Sequence, residues 1–132
     1  MASNIADFLA NELIDHFLRN SAYSPPATVY VGLFTSVVGD NWTGTEVSGG
    51  DYIRKAMAFN AAGTRHTHNT SLVTFTEASA LWGLVGWVGL HTAESAGDGM
   101  AWGAVDTAKT IDDGDTAKVA ATALTFTFTP TP

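Results

Sequence analysis

The stretch Thr28-Val29-Tyr30-Val31-Gly32-Leu33-Phe34 sets Val29, Val31 and Leu33 on one side of an extended chain and Thr28, Tyr30 and Gly32 on the other. Apolar residues repeating every second position, with β-branched and aromatic types prominent, mark a half-buried strand. The same fabric closes the chain, where Leu124-Thr125-Phe126-Thr127-Phe128-Thr129 is the cleanest apolar and threonine alternation in the sequence. Between these stretches, strands are expected over residues 53–59, 72–76, 82–90 and 100–105, with a short one at Thr110-Ile111. A last strand over residues 118–129 is entered through a hairpin turn at Asp113-Gly114. Residues 82–90 are apolar on both faces and suit a central strand covered on both sides. Residues 39–50, rich in Gly, Thr, Asn and Asp, read as a loop that carries Trp42 either exposed or folded back, and residues 65–70 as a polar connection.

Upstream of the first strand the period changes. Ile5, Phe8, Leu9, Leu13 and Phe17 follow the spacing of one helical face, and Ile14 and Leu18 widen it. Ser3 or Asn4 supplies a cap, Asp7 sits in the first turn where the helix dipole favours an acid, and Pro25-Pro26 forbids continuation. This stripe must pack on the chain's own sheet or on a neighbouring subunit. The expectation is therefore a mainly β protein, a β-sandwich or jelly-roll-like domain preceded by one N-terminal α-helix. Residues 1–132 form a single domain on this reading, with the helix over residues 1–20 and the sandwich over residues 27–129.

Composition narrows the function. The 132 residues carry a formal net charge of −7, which repels phosphate backbones and argues against a nucleic-acid partner. Only 14% of residues are charged, against roughly 25% in an average soluble domain, which points to a surface partly covered by copies of itself or by a larger assembly. With no cysteine, a disulfide framework and thiolate zinc sites are excluded. The N-terminus has acidic residues where a secretory signal has basic ones, and the apolar run over residues 81–90 is too short to span a bilayer, so no membrane partner is expected.

The chain shows little machinery for chemistry. His66 and His68 would share one face of an extended strand, about 7 Å apart, but a metal site needs further ligands, for which only His16, His91 or an unplaced carboxylate are available. Asp112, Asp113 and Asp115 around Gly114 resemble half of a calcium loop without the closing Glu or flanking helices, and read as a turn with solubilising carboxylates. Glu77 and Glu94 have no spacing that would make them an acid–base pair, and no nucleophile elbow or phosphate loop occurs. No catalytic residue, cofactor or resident metal is expected. Trp82, Trp87 and Trp102 sit in strand-like contexts and read as core, while Trp42 is the tryptophan to test for contact with a partner.

Three blocks carry a family likeness: Asn-Glu-Leu-Ile-Asp-His-Phe-Leu-Arg-Asn over residues 11–20, Tyr-Ser-Pro-Pro-Ala-Thr-Val-Tyr-Val-Gly-Leu-Phe-Thr over 23–35, and Thr-Glu-Val-Ser-Gly-Gly-Asp-Tyr-Ile-Arg over 45–54. Later come Trp82-Gly83, then Trp102-Gly103-Ala104, then Ile111 with Gly114-Asp115-Thr116. In this order the chain resembles a family of small bacteriophage virion proteins labelled tail fibre, minor tail or head decoration protein. The resemblance implies a β-sandwich carried in many copies on the virion, without enzymatic activity. The role expected first is a capsid decoration or cement protein, a trimer or dimer on the outer face of the phage major capsid protein that stabilises the shell. The alternative is a tail fibre or minor tail protein that recognises a receptor or glycan. On either reading the expected partner or oligomer contacts are Phe8, Leu13 and Phe17 on the helix, with Trp42 and Tyr52 on the loops.

Overall fold

The computed structural model describes residues 4–128. The elements in chain order are β1 (Asn4–Ile5), α1 (Asp7–Leu18), β2 (Val29–Phe34), β3 (Lys55–Met57), β4 (His66–His68), β5 (Val73–Thr74), β6 (Gly83–His91), β7 (Gly99–Ile111), β8 (Lys118–Val119) and β9 (Thr125–Thr127). Five strands form one antiparallel sheet in the order β1-β7-β6-β2-β3, and the other four form two ribbons, β4-β9 and β5-β8. The protein is mainly β with one N-terminal helix, as the periodicities indicate.

Strand β6 is central, paired to β2 on one side and β7 on the other. Its Val85, Val88 and Leu90 enter the main core beside Val31, Leu33, Met57, Met100 and Ala101. Both ribbons reach the same core, through Val73 near one and Leu124 near the other, together with Phe75 and Trp82. The register explains the second face of the sheet. Gly32 pairs with Gly89 and Gly89 with Trp102, while Tyr30 pairs with His91, so glycines and His91 share the side opposite Val31 and Leu90.

Several local expectations change. The helix begins at Asp7, not near residue 1, and its N-cap is Ala6 without a side-chain cap bond. Asn4 is instead part of the edge strand β1, paired with Trp102, and Ser3 lies outside the described residues. Backbone donors at this end find tertiary acceptors: Ala6 N–H donates to Met100 O and Asp7 N–H to Asp40 O. A cap from within the segment is thereby made unnecessary. Strand β7 absorbs both the stretch over 100–105 and Thr110-Ile111, passing two register irregularities against β6.

The last expected strand, over residues 118–129, is split; Thr129 lies outside the described residues. Asp113-Gly114 does make a tight turn, but β8 pairs with β5 and β9 with β4, so neither returns onto β7. The cause is Asn69, a fully buried side chain. Its Nδ2 donates to Ser71 O and Ala120 O, and its Oδ1 accepts from Leu124 N–H, while its backbone pairs with Thr122 and Leu124. A polar bracket at this point captures residues 120–124 as a turn between two short strands. The residues around it, expected as a polar connection, become β4.

Candidate functional site

The loop over residues 35–54 folds back on the sheet and builds a polar clasp on its glycine side. Arg54 Nε and Nη2 grip the Glu46 carboxylate at 2.8 Å each, a bidentate pair. Tyr52 Oη donates to Glu46 Oε1 at 2.7 Å and accepts from Leu33 N–H at 2.9 Å, which ties the pair to β2. Arg54 Nη1 donates to Ala93 O and Ala96 O and so fastens the loop between β6 and β7. Gly32 lies beneath: a Cβ there would come within 2.7 Å of His91 Nε2 and 2.8 Å of Glu46 Oε1. Only the smallest residue lets these groups meet the strand.

His91 is 1% exposed and stacks parallel to Phe34, with the Trp42 ring edge-on to both. Trp42 itself holds a left-handed backbone (φ 59°), unfavourable for a bulky residue. Its ring covers Gly89 and Gly99 so closely that a Cβ on Gly99 would land inside it. Trp42 is thus folded back as a lid over the second face, and the strained backbone is held by that packing and by the hydrogen bonds of Thr43 and Gly44 N–H to Val38 O.

The electrostatics follow from burial. Burial works to raise the Glu46 carboxyl, but hydrogen bonds from Arg54 and Tyr52 outweigh it and hold the group below its ordinary range. The Tyr52 hydroxyl is raised by burial and by the adjacent carboxylate. His91 is pushed down to about 4, first by burial and then by the Arg54 charge, with Glu46 opposing. Its Nε2 stands 3.9 Å from Glu46 Oε1 and, among the described residues, is a buried polar atom without a hydrogen-bond partner. His91 is therefore neutral at pH 7.

Acid should loosen the clasp. An unfolded histidine takes its proton near pH 6.5, whereas His91 in the fold resists until about 4, so the unfolded chain binds more protons between those values and stability falls as pH drops through that window. At pH 4.5 the loss is expected to reach about 2–3 kcal/mol. Glu46, lowered in the fold, adds a further loss below its unfolded value of 4.5. Thermal melts at pH 7 and pH 4.5, repeated with His91→Gln, measure the histidine's share; an acid limb of equal depth in both proteins would refute it.

The five residues expected at an interface divide. Tyr52 and Trp42 are committed to contacts within the chain. Phe8 and Leu9 pack partly on the core, and Leu13 is half-buried. Phe17 is 66% exposed, and Ile14 and Leu18, read only as widening the stripe, are 48% and 72% exposed. Helix α1 contains no buried residue. Alongside Leu9 runs an apolar groove of about 260 Å³, lined by Val29, Phe59, Leu90, Met100 and Phe126 among others. Sequence reading missed this groove, since its walls come from segments far apart in the chain.

Of the tryptophans read as core, Trp82 is buried, with its indole N–H donating to Gly50 O. Trp87 and Trp102 are half-buried, and Trp102 donates to Asp40 Oδ1. His66 and His68 do share β4, with ring centroids 6.5 Å apart, but no three metal-ligating side chains come together among the described residues. Glu77 and Glu94 are exposed. Among the described residues no helix is long and apolar enough to cross a membrane. The chain matches, over residues 4–127, the family model described as Podophage GP4 fiber I protein gp80. No curated protein matches it.

Proposed function

Since the chain belongs to the Podophage GP4 fiber I protein gp80 family, virion structural proteins and not enzymes, we propose that it is a fibre subunit that works by assembling with copies of itself and with other fibre or tail proteins. The match across residues 4–127 carries this reading, and it favours the fibre role over the capsid-decoration role that the sequence suggested first. The uncovered apolar face of α1 supports assembly: burying it against a neighbour removes hydrocarbon from water at roughly 25 cal/mol per Å². Of the expected contacts, Leu13 and Phe17 act directly in this reading. Phe8 anchors the helix, and Trp42 and Tyr52 hold the loop in shape.

We read the two ribbons as a reduced second layer over the five-stranded sheet, a minimal sandwich, and residues 1–132 as one domain; the shared core supports both. Immunogold labelling of intact particles tests the location. Gold is expected on the fibres, with few copies per particle by gel densitometry; gold spread over the shell, with hundreds of copies, would restore the cement role.

A further inference from the structure

Resting on the reading of the chain as a self-assembling subunit, we infer that two copies pair through α1 in antiparallel register about a two-fold axis at Leu13, each seating the partner's Phe17 in its apolar groove. At about 100° per residue, Leu9, Leu13 and Phe17 form one column on the helix surface and Ala10, Ile14 and Leu18 the next. Glu12, Asp15 and Arg19 fall on the opposite side. The helix meets the chain's own sheet mainly through Phe8 and Leu9, and beyond Leu9 the stripe turns outward, with Ile14, Phe17 and Leu18 exposed. At its Leu9 end the stripe runs into the groove, whose far wall is Phe126 with the exposed Phe128 packed edge-on beside it.

Knob and hole lie on the same helix and cannot meet within one molecule. Phe17 projects eight residues, roughly 12 Å, beyond Leu9. A two-fold axis at the midpoint, Leu13, sets position 9 of each copy against position 17 of the other, so both grooves fill at once. The contact is isologous and closes on itself. It also brings the N-terminal end of each helix to the C-terminal end of the other, so that the two helix dipoles complement one another.

The area is sufficient. Ile14, Phe17, Leu18 and Phe128 expose roughly 450 Å² per copy, or roughly 900 Å² for the pair before the groove walls are added, against the roughly 1,000 Å² that a specific interface needs. No side chain of the groove carries a charge. A second copy is the occupant that presents the matching hydrocarbon in the matching register.

The full chain, which has no cysteine, allows a clean test. Sedimentation velocity is expected to give twice the chain mass. Leu13→Cys is expected to cross-link into a dimer with a short bismaleimide, whereas Leu81→Cys, exposed but off the helix, is not. Phe17→Asp should weaken association at least ~100-fold with the circular dichroism spectrum unchanged, because the side chain is mostly exposed. A monomer or trimer, a dimer indifferent to Phe17→Asp, or a dimer that Leu13→Cys fails to capture would overturn the pairing. If Phe17→Asp does not fold, the two cysteine variants decide the register alone. Monomers in solution with gold still on the fibres would sink the pairing and spare the fibre reading; dimers with gold on the shell would do the reverse.

Discussion

Arg54→Ala is expected to remove about 3 kcal/mol of stability and to lower the melting temperature by ~10 °C. The guanidinium closes a circuit that no other group can complete: two hydrogen bonds to Glu46, and one each to Ala93 O and Ala96 O. Its removal leaves a half-buried carboxylate with Tyr52 as its remaining hydrogen-bond donor and strips two carbonyls of a charged donor. Arg54→Lys should recover only part of the loss, because an ammonium cannot grip both carboxylate oxygens in a planar fork. Urea unfolding at pH 7 measures the difference, and a loss below about 1 kcal/mol would show that the clasp is ornamental to stability.

Asn69→Ala is the second large effect, at about 3 kcal/mol. The amide satisfies Ser71 O, Ala120 O and Leu124 N–H from a position with no access to water. Alanine takes from Ser71 O and Leu124 N–H the partner that the amide supplies, leaves Ala120 O only its bond from Ala123 N–H, and opens a cavity. Asn69→Asp should be at least as damaging, because its carboxylate would face the two carbonyls that the Nδ2 now serves. Hydrogen exchange at Leu124 gives a local readout: protection there should collapse before that of β6. Retention of slow exchange at Leu124 in Asn69→Ala would mean that something other than the side chain splits the strand.

These two residues mark the line between what was legible and what was not. The strands β2 and β6 could be read directly, because a run of alternating or wholly apolar residues has few ways to bury itself other than as sheet. The helix was legible for the same reason, although its start was not, since the acceptors for its first amides come from Met100 and Asp40. Glu46, Tyr52 and Arg54 lie within one of the blocks that carry the family likeness, yet their role as a clasp was not legible there. Nothing in the spacing 46, 52, 54 reveals that Gly32 leaves room for all three.

Periodicity and composition by themselves determined the mainly β class, the single amphipathic helix and the lack of catalytic motifs, because these depend on local hydrocarbon pattern and on residue types present or missing. Tertiary structure alone decided that the final strand breaks at a bracket from Asn69, that Trp42 and Tyr52 turn inward, and that the helix shows its apolar stripe to the outside beside a groove. Each of these is a contact between segments tens of residues apart, and the free energy that selects them arises only when desolvated groups meet their partners in the folded chain.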